Sequence, residues 1–152
     1  IIAPHDISPK HINEIEDLLK NDFIRYSKAT PENIAAFTTL IIDNIGILAN
    51  TYQFTDIAFI GGGFTGALHN ILEPASFGNV VLFGPKHTKF HEAEELLKLN
   101  GAFEIDDTDD IIAIVNHLLL AENLEQSQTA AKNYIKNGKG ATELIFKELK
   151  LL

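Results

Sequence analysis

Asp56-Ile57-Ala58-Phe59-Ile60-Gly61-Gly62-Gly63-Phe64-Thr65-Gly66 is the stretch on which the fold is decided. Its first half runs apolar from Ile57 to Ile60 without polar alternation, as strands do when both faces of their sheet are covered. Its second half places four of the chain's ten glycines in one loop. A strand that stops at such a loop lets backbone approach a ligand where any side chain would block it.

The same alternation of short apolar segments with amphipathic ones extends in both directions, which predicts an α/β fold, a parallel sheet flanked by helices. Upstream, Ile1-Ile2-Ala3 reads as a buried strand stopped by Pro4, and Ile12, Ile15, Leu18 and Leu19 have helical spacing. Strands are expected at Phe23 to Tyr26 and at Thr38 to Asp43, and a helix from Ile45 to Phe54. Downstream come a helix from about Ile71 to Phe77, a strand Val80 to Phe83, a helix from Phe90 to Leu99 stopped by Asn100-Gly101, and a strand Ala102 to Ile105. Thr108 is placed to cap a helix carrying Ile111, Ile112, Val115 and Leu118, and Glu122 to Leu152 is helical except at Asn137-Gly138-Lys139-Gly140. With no repeat or linker, residues 1–152 are expected to form a single domain.

The chain has 152 residues, no Met, no Cys, and Arg25 as its single arginine. A chain without Met that opens on an apolar run reads as part of a longer protein. Absence of Cys excludes disulfides, zinc ribbons and thiol catalysis within these residues. The net charge of −9 opposes the phosphates of extended DNA or RNA, so nucleic acid is not an expected partner. No apolar run approaches the ~20 residues of a membrane-spanning helix.

Gly61, Gly63 and Gly66 satisfy G-x-G-x-x-G, but the next strand ends in Phe83-Gly84-Pro85, where a dinucleotide site needs an acid for the ribose. Ala67-Leu68 stands where a P-loop needs Lys and Ser or Thr, so the ATPase reading fails as well. His69-Asn70-Ile71-Leu72-Glu73-Pro74 then opens a helix. A helix start offers N–H groups to an anion, and its first-turn carboxylate can accept hydroxyls of a diol such as ribose. Asn70 and Glu73 equally suit a capping arrangement, and local sequence leaves both open.

Three motifs, Asp56 to Gly63, His69-Asn70-Ile71-Leu72-Glu73-Pro74-Ala75 and Val81-Leu82-Phe83-Gly84-Pro85, resemble in order and spacing the 3-deoxy-D-manno-octulosonic acid (Kdo) transferases. Ala3-Pro4-His5 is similar to that family's Pro-Arg-His segment, Asp43 to Leu48 to its Gly-Asp-x-x-Gly-Glu-Leu stretch, and Asn137 to Ala141 to the turn before its final helix. The resemblance implies a glycosyltransferase that moves Kdo from CMP-Kdo onto a lipid A precursor in lipopolysaccharide synthesis, at the cytoplasmic face of the bacterial inner membrane. It implies the C-terminal, Rossmann-like half of a GT-B enzyme, with the acceptor domain and catalytic carboxylate in an N-terminal half not included here. This half alone is then expected to be inactive and to partner its own N-terminal domain, with no cofactor or metal.

The resemblance assigns nucleotide binding to Pro4, His5, Gly46, Ile47, Leu48, Gly62, Gly63, Asn70, Ile71, Leu72 and Glu73, and favours ribose binding over capping for Glu73. Gly46, Ile47 and Leu48 are expected to begin a helix whose N–H groups meet phosphate. Lys86 and His87 are candidate contacts to the sugar or the acceptor. Pro4 stands at the position of the family's Arg and Ile47 at that of its Glu, so only backbone contributions carry over there.

Rival chemistry is thinner. His87 and His91 have helical spacing beside Glu92, Glu94 and Glu95, yet Glu95 occupies the second His position of H-E-x-x-H. Asp106, Asp107, Asp109 and Asp110 lack the Gly and distal Glu of an EF-hand and suit a helix start. Lys132, Lys136, Lys139, Lys147 and Lys150 gather charge that suits peripheral contact with anionic lipid. Another GT-B transferase, a UDP-sugar epimerase, or a non-catalytic Rossmann-like or receiver-like module are the alternatives. A receiver lacks its acid cluster here, since Asp6 and Asp43 alone lie near the required places.

Overall fold

A computed structural model describes residues 1–149, the side chains of residues 141–143 excepted. The chain divides into two compact units, Ile1–Thr51 and Tyr52–Leu152. The structure is α/β with parallel strands throughout.

In the first unit, Pro9–Leu19 forms α1. Pro9 occupies the first turn, where its missing N–H is no loss, and the Ser8 hydroxyl accepts from the His11 N–H. Ile12 is the residue α1 buries. Strand β1, Phe23–Arg25, pairs in parallel with β2, Thr39–Ile41. Polar side chains brace this pair: Arg25 Nη2 donates to Glu16 Oε2 at 2.7 Å, the Asp43 carboxylate accepts from the Ser27 N–H and hydroxyl, and that of Asp22 from the N–H and hydroxyl of Thr38.

Two expectations are corrected in this unit. The Ile1–Ala3 strand reduces to one parallel bridge between Ile2 and Ile41, because Pro4 has no N–H with which to continue a ladder, and Ile1 is exposed. The helix expected from Ile45 starts only at Leu48, where α2 spans Leu48–Thr51. Gly46 has φ +95°, which turns the chain away from helical geometry, and Ile45 is left 87% exposed.

The second unit opens on a 3₁₀ turn, Tyr52–Phe54, and a three-stranded parallel sheet in the order β3 (Ile57–Phe59), β4 (Val80–Phe83), β5 (Ala102–Glu104). Helices α3 (Leu72–Phe77) and α4 (His91–Lys98) make the crossovers. All four residues of the central strand β4 are buried, which is why this segment reads as an unbroken apolar run. Helix α5 covers Thr108–Leu118, α6 Ala121–Asn137 and α7 Ala141–Glu148, and α6 packs on α3, α4, α5 and β4. Among the described residues no helix is long and apolar enough to cross a membrane.

Asn100 carries the left-handed turn after α4 with φ +57°, while Gly101 serves close approach: a Cβ there would stand 3.0 Å from the Ala131 nitrogen of α6. The cap of α5 is Asp107, not Thr108. Its carboxylate accepts from the N–H groups of Asp109 and Asp110, and a charged acceptor at a helix start outcompetes a hydroxyl. The Asp110 carboxylate in turn accepts from the Asp106 N–H, so two of the four acids are engaged in the turn itself. Of the lysines in the tail, Lys150 lies outside the described residues.

Candidate functional site

Parallel pairing brings the carboxyl ends of β3, β4 and β5 to one edge of the second unit, where open parallel sheets gather ligands. Two loops leave that edge side by side. The glycine loop after β3 folds on itself: the carbonyl oxygen of Gly62 accepts from the N–H groups of Thr65 and Ala67, both at 3.1 Å, and from the Thr65 hydroxyl. Gly62 has φ +88°, and a Cβ there would stand 1.9 Å from the Ala67 carbonyl oxygen, so no other residue fits.

The second loop, Gly84 to His87, presses on the first through backbone alone. The Lys86 N–H donates to the Gly63 carbonyl oxygen at 2.7 Å. A Cβ on Gly63 would lie 2.5 Å from the Gly84 nitrogen, and one on Gly84 would meet the Phe64 ring at 2.7 Å. Gly63 and Gly84 thus join the two loops into one surface. Gly84 was visible in the sequence only as part of a motif; nothing local announces the partner against which it packs.

Beyond the glycine loop, Asn70 Oδ1 accepts from the Leu72 N–H at 3.0 Å, one residue earlier than a normal cap, because the cap position itself falls to Ile71. Asn70 thus satisfies the first helical N–H from just before the cap, while the cap residue Ile71 makes no side-chain hydrogen bond. Leu72 has its N–H engaged in that turn, and Pro74 has none. Glu73 is an exposed first-turn acid, close enough to Tyr52 that its charge, after burial, helps push the Tyr52 phenol up from its ordinary value. Helix α3 ends on Gly78 in the left-handed region with φ +85°. The fully buried Asn79 holds that end: it donates to the carbonyl oxygens of Tyr52 and Pro74 and accepts from the Thr55 hydroxyl.

Of the sugar or acceptor candidates, Lys86 is exposed and His87 is buried. The His87 imidazole stands edge-on to Phe83, with Nε2 against Glu104 Oε2 and Nδ1 3.0 Å from Glu94 Oε1. Sequence reasoning missed both acids in this role, since Glu94 and Glu104 lie on different elements. Among the described residues no three His, Asp or Glu side chains converge on a metal position.

In the first unit, Pro4 and His5 follow the Ile2 bridge and so emerge at the carboxyl end of β2, beside the segment that leads to Asp43. Against the upward push of burial, hydrogen bonds from the Ser27 side chain and N–H and the nearby Arg25 hold the Asp43 carboxyl below its usual range. Gly46 and Ile47 precede α2 rather than beginning it; the Ile47 carbonyl oxygen accepts from the Thr51 N–H and hydroxyl, and Leu48 is the first helical residue. Helix α2 starts at Leu48, so Gly46 and Ile47 stand just before the helix start they were expected to form.

Parallel strands flanked by helices, with glycine loops at the carboxyl edge, define the class: a Rossmann-like α/β domain. The chain superposes with TM-score 0.73 on the crystal structure of the C-terminal CMP-Kdo binding domain of WaaA from Acinetobacter baumannii, at 24% identity, covering 86% of this chain and 69% of that one. In sequence it is 31% identical over 134 residues to the 3-deoxy-D-manno-octulosonic acid transferase of Rickettsia prowazekii, and 35% identical over 118 residues to that of Chlamydophila psittaci. These alignments cover 84% and 73% of this chain but 29% and 27% of the relatives, so the chain spans under a third of their length. No family model matches the chain. The family that the motifs resemble is the one these relatives are named for, and the similarity covers most of this chain.

Proposed function

We propose that this chain is the donor-binding part of a Kdo transferase, holding the CMP of CMP-Kdo at the carboxyl edge of the second unit's sheet. The observation that carries the reading is the glycine loop at the carboxyl edge, packed backbone to backbone against the Gly84–His87 loop through Gly63 and Gly84. A glycine loop at the carboxyl edge of a parallel sheet is where such folds gather phosphate-bearing ligands. Asn70, Ile71, Leu72 and Glu73 border it in sequence, and Glu73, free of the capping task that Asn70 performs, is the acceptor for the ribose hydroxyls. Lys86 offers a cation to the phosphate or the Kdo carboxylate. Within the first unit taken by itself, the motif resemblance proposes Pro4, His5, Gly46, Ile47 and Leu48 as nucleotide-binding residues.

In the proposed reaction the phosphate of CMP leaves, and its charge is met by backbone N–H groups and Lys86 without a metal. The acceptor, a lipid A precursor, and the catalytic carboxylate are assigned to an N-terminal half, and the work is placed at the cytoplasmic face of the inner membrane. The GT-B relatives named for Kdo transfer favour cytidine over the uridine of other GT-B donors.

Titrating the chain with CMP, UMP, AMP and NAD while following amide shifts tests this. CMP is expected to move Gly62, Gly63, Asn70 and Glu73 most, and equal response to all four nucleotides would sink the reading. Glu73→Ala should weaken CMP binding by roughly tenfold, the loss of one or two charge-assisted hydrogen bonds, without lowering the unfolding midpoint. A lowered midpoint with unchanged binding would return Glu73 to capping.

A further inference from the structure

The loop after β4 ends on a side chain to which the donor site gives no task. His87 is 4% exposed, although Lys86 and Thr88 on either side of it face solvent. Its ring centroid lies 5.1 Å from that of Phe83 at 66°. Nε2 meets Glu104 at the end of β5, and Nδ1 meets Glu94 on α4 at 3.0 Å. Nδ1 is thus a buried polar atom with no hydrogen-bond partner, although Glu94 Oε1 stands close by.

We propose that His87 is a positioning residue: an imidazole clamp, buried between Phe83, Glu94 and Glu104, that fixes the Gly84–His87 loop against the glycine loop. The mechanical link is short. His87 closes the loop at one end, the Lys86 N–H is bonded to the Gly63 carbonyl oxygen at 2.7 Å next to it, and Gly84 lies against Gly63 at the other. Through that link the clamp sets where Lys86 and the Gly63 backbone stand. His87 acts through its neighbours and not by touching sugar or acceptor, as its sequence position had suggested. The consequence for nucleotide binding rests on the donor-site reading above; the clamp itself does not.

His87→Phe keeps a flat ring against Phe83 and removes both ring nitrogens, His87→Gln restores a polar group, and Glu104→Gln removes one charge from a side chain that is 41% exposed. Each is compared with the parent chain by amide hydrogen exchange at Lys86, by CMP titration and by urea unfolding. In His87→Phe, exchange at Lys86 should quicken by roughly tenfold or more relative to the amides of β4, with a similar loss of CMP affinity, because a local tether and not the core has been cut. His87→Gln should recover part of both, and Glu104→Gln should shift both in the direction of His87→Phe. Unchanged Lys86 exchange in His87→Phe and Glu104→Gln overturns the clamp, whatever happens to global stability; should His87→Phe fail to fold, Glu104→Gln alone decides. If the parent chain does not bind CMP, the donor reading fails while Lys86 exchange still judges the clamp.

Discussion

The two units of this chain solve the same problem, closing a small parallel sheet, by different means. The second buries a strand whole: Val80, Val81, Leu82 and Phe83 are each at most 2% exposed, and Ile60, Leu68, Ile71, Leu96, Ile105 and Leu118 surround them. The first buries Ile12, Ile24, Ile41 and Ile42 and relies on charged side chains to tie its loops to its strands. Its carboxylates record this. Asp6, Glu16, Asp22, Glu32 and Asp43 are all held below their ordinary range, each with hydrogen bonds among the causes, whereas in the second unit Glu95 beside Lys98 is the resolved case among the described residues. A packed sheet tolerates glycine loops at its edge because its stability is located elsewhere; a polar one has its stability in the loops.

The sharpest way to break this contrast is Phe83→Ala. It removes a ring that is 0% exposed, and a loss of about 3–5 kcal/mol is expected in the second unit's urea unfolding. A loss below 1 kcal/mol would mean that this core is not what holds the sheet. Next comes Gly62→Ala, where a left-handed backbone and a 1.9 Å overlap combine to cost about 1–3 kcal/mol or force the loop to rearrange, visible as displaced Thr65 and Ala67 amides. Acidification separates the units more gently. Depressed carboxylates stabilise above the ordinary range near pH 4 and lose that contribution as pH falls through their lowered values, so first-unit amides should lose protection before those of β4. Simultaneous loss in both units would erase the distinction. At the small end, Ile45→Ser changes a residue that is 87% exposed and should move stability by about 0.5 kcal/mol or less.

The same contrast explains what could be read from the residues. Strands β3, β4 and β5 and the helices between them follow from apolar runs and glycine stops, because burial on both faces leaves a pattern in the amino acids themselves. Where polar ties and backbone strain decide, pattern fails. Nothing in Ile45-Gly46-Ile47 announces that Gly46 turns at φ +95° and delays α2 to Leu48, and nothing in Thr108 announces that the acid before it takes the cap. At the site, the glycine loop, Asn70 and Glu73 were legible from local order. The burial of His87 between Glu94 and Glu104 was not, because it joins three elements that are distant in sequence.

The left-handed turn after α4 has a chemical consequence as well as a structural one. Asn-Gly pairs age by attack of the glycine nitrogen on the asparagine side chain, which closes a five-membered ring. At Asn100-Gly101 that nitrogen donates to the Leu96 carbonyl oxygen at 2.9 Å, and Gly101 is wedged against Ala131, so ring closure requires α4 and α6 to part. At Asn137-Gly138, exposed at the end of α6, the glycine nitrogen also donates, to the Tyr134 carbonyl oxygen at 3.1 Å, but no neighbouring helix is wedged against it. Of the two pairs, the one at the helix end will keep the molecule's clock.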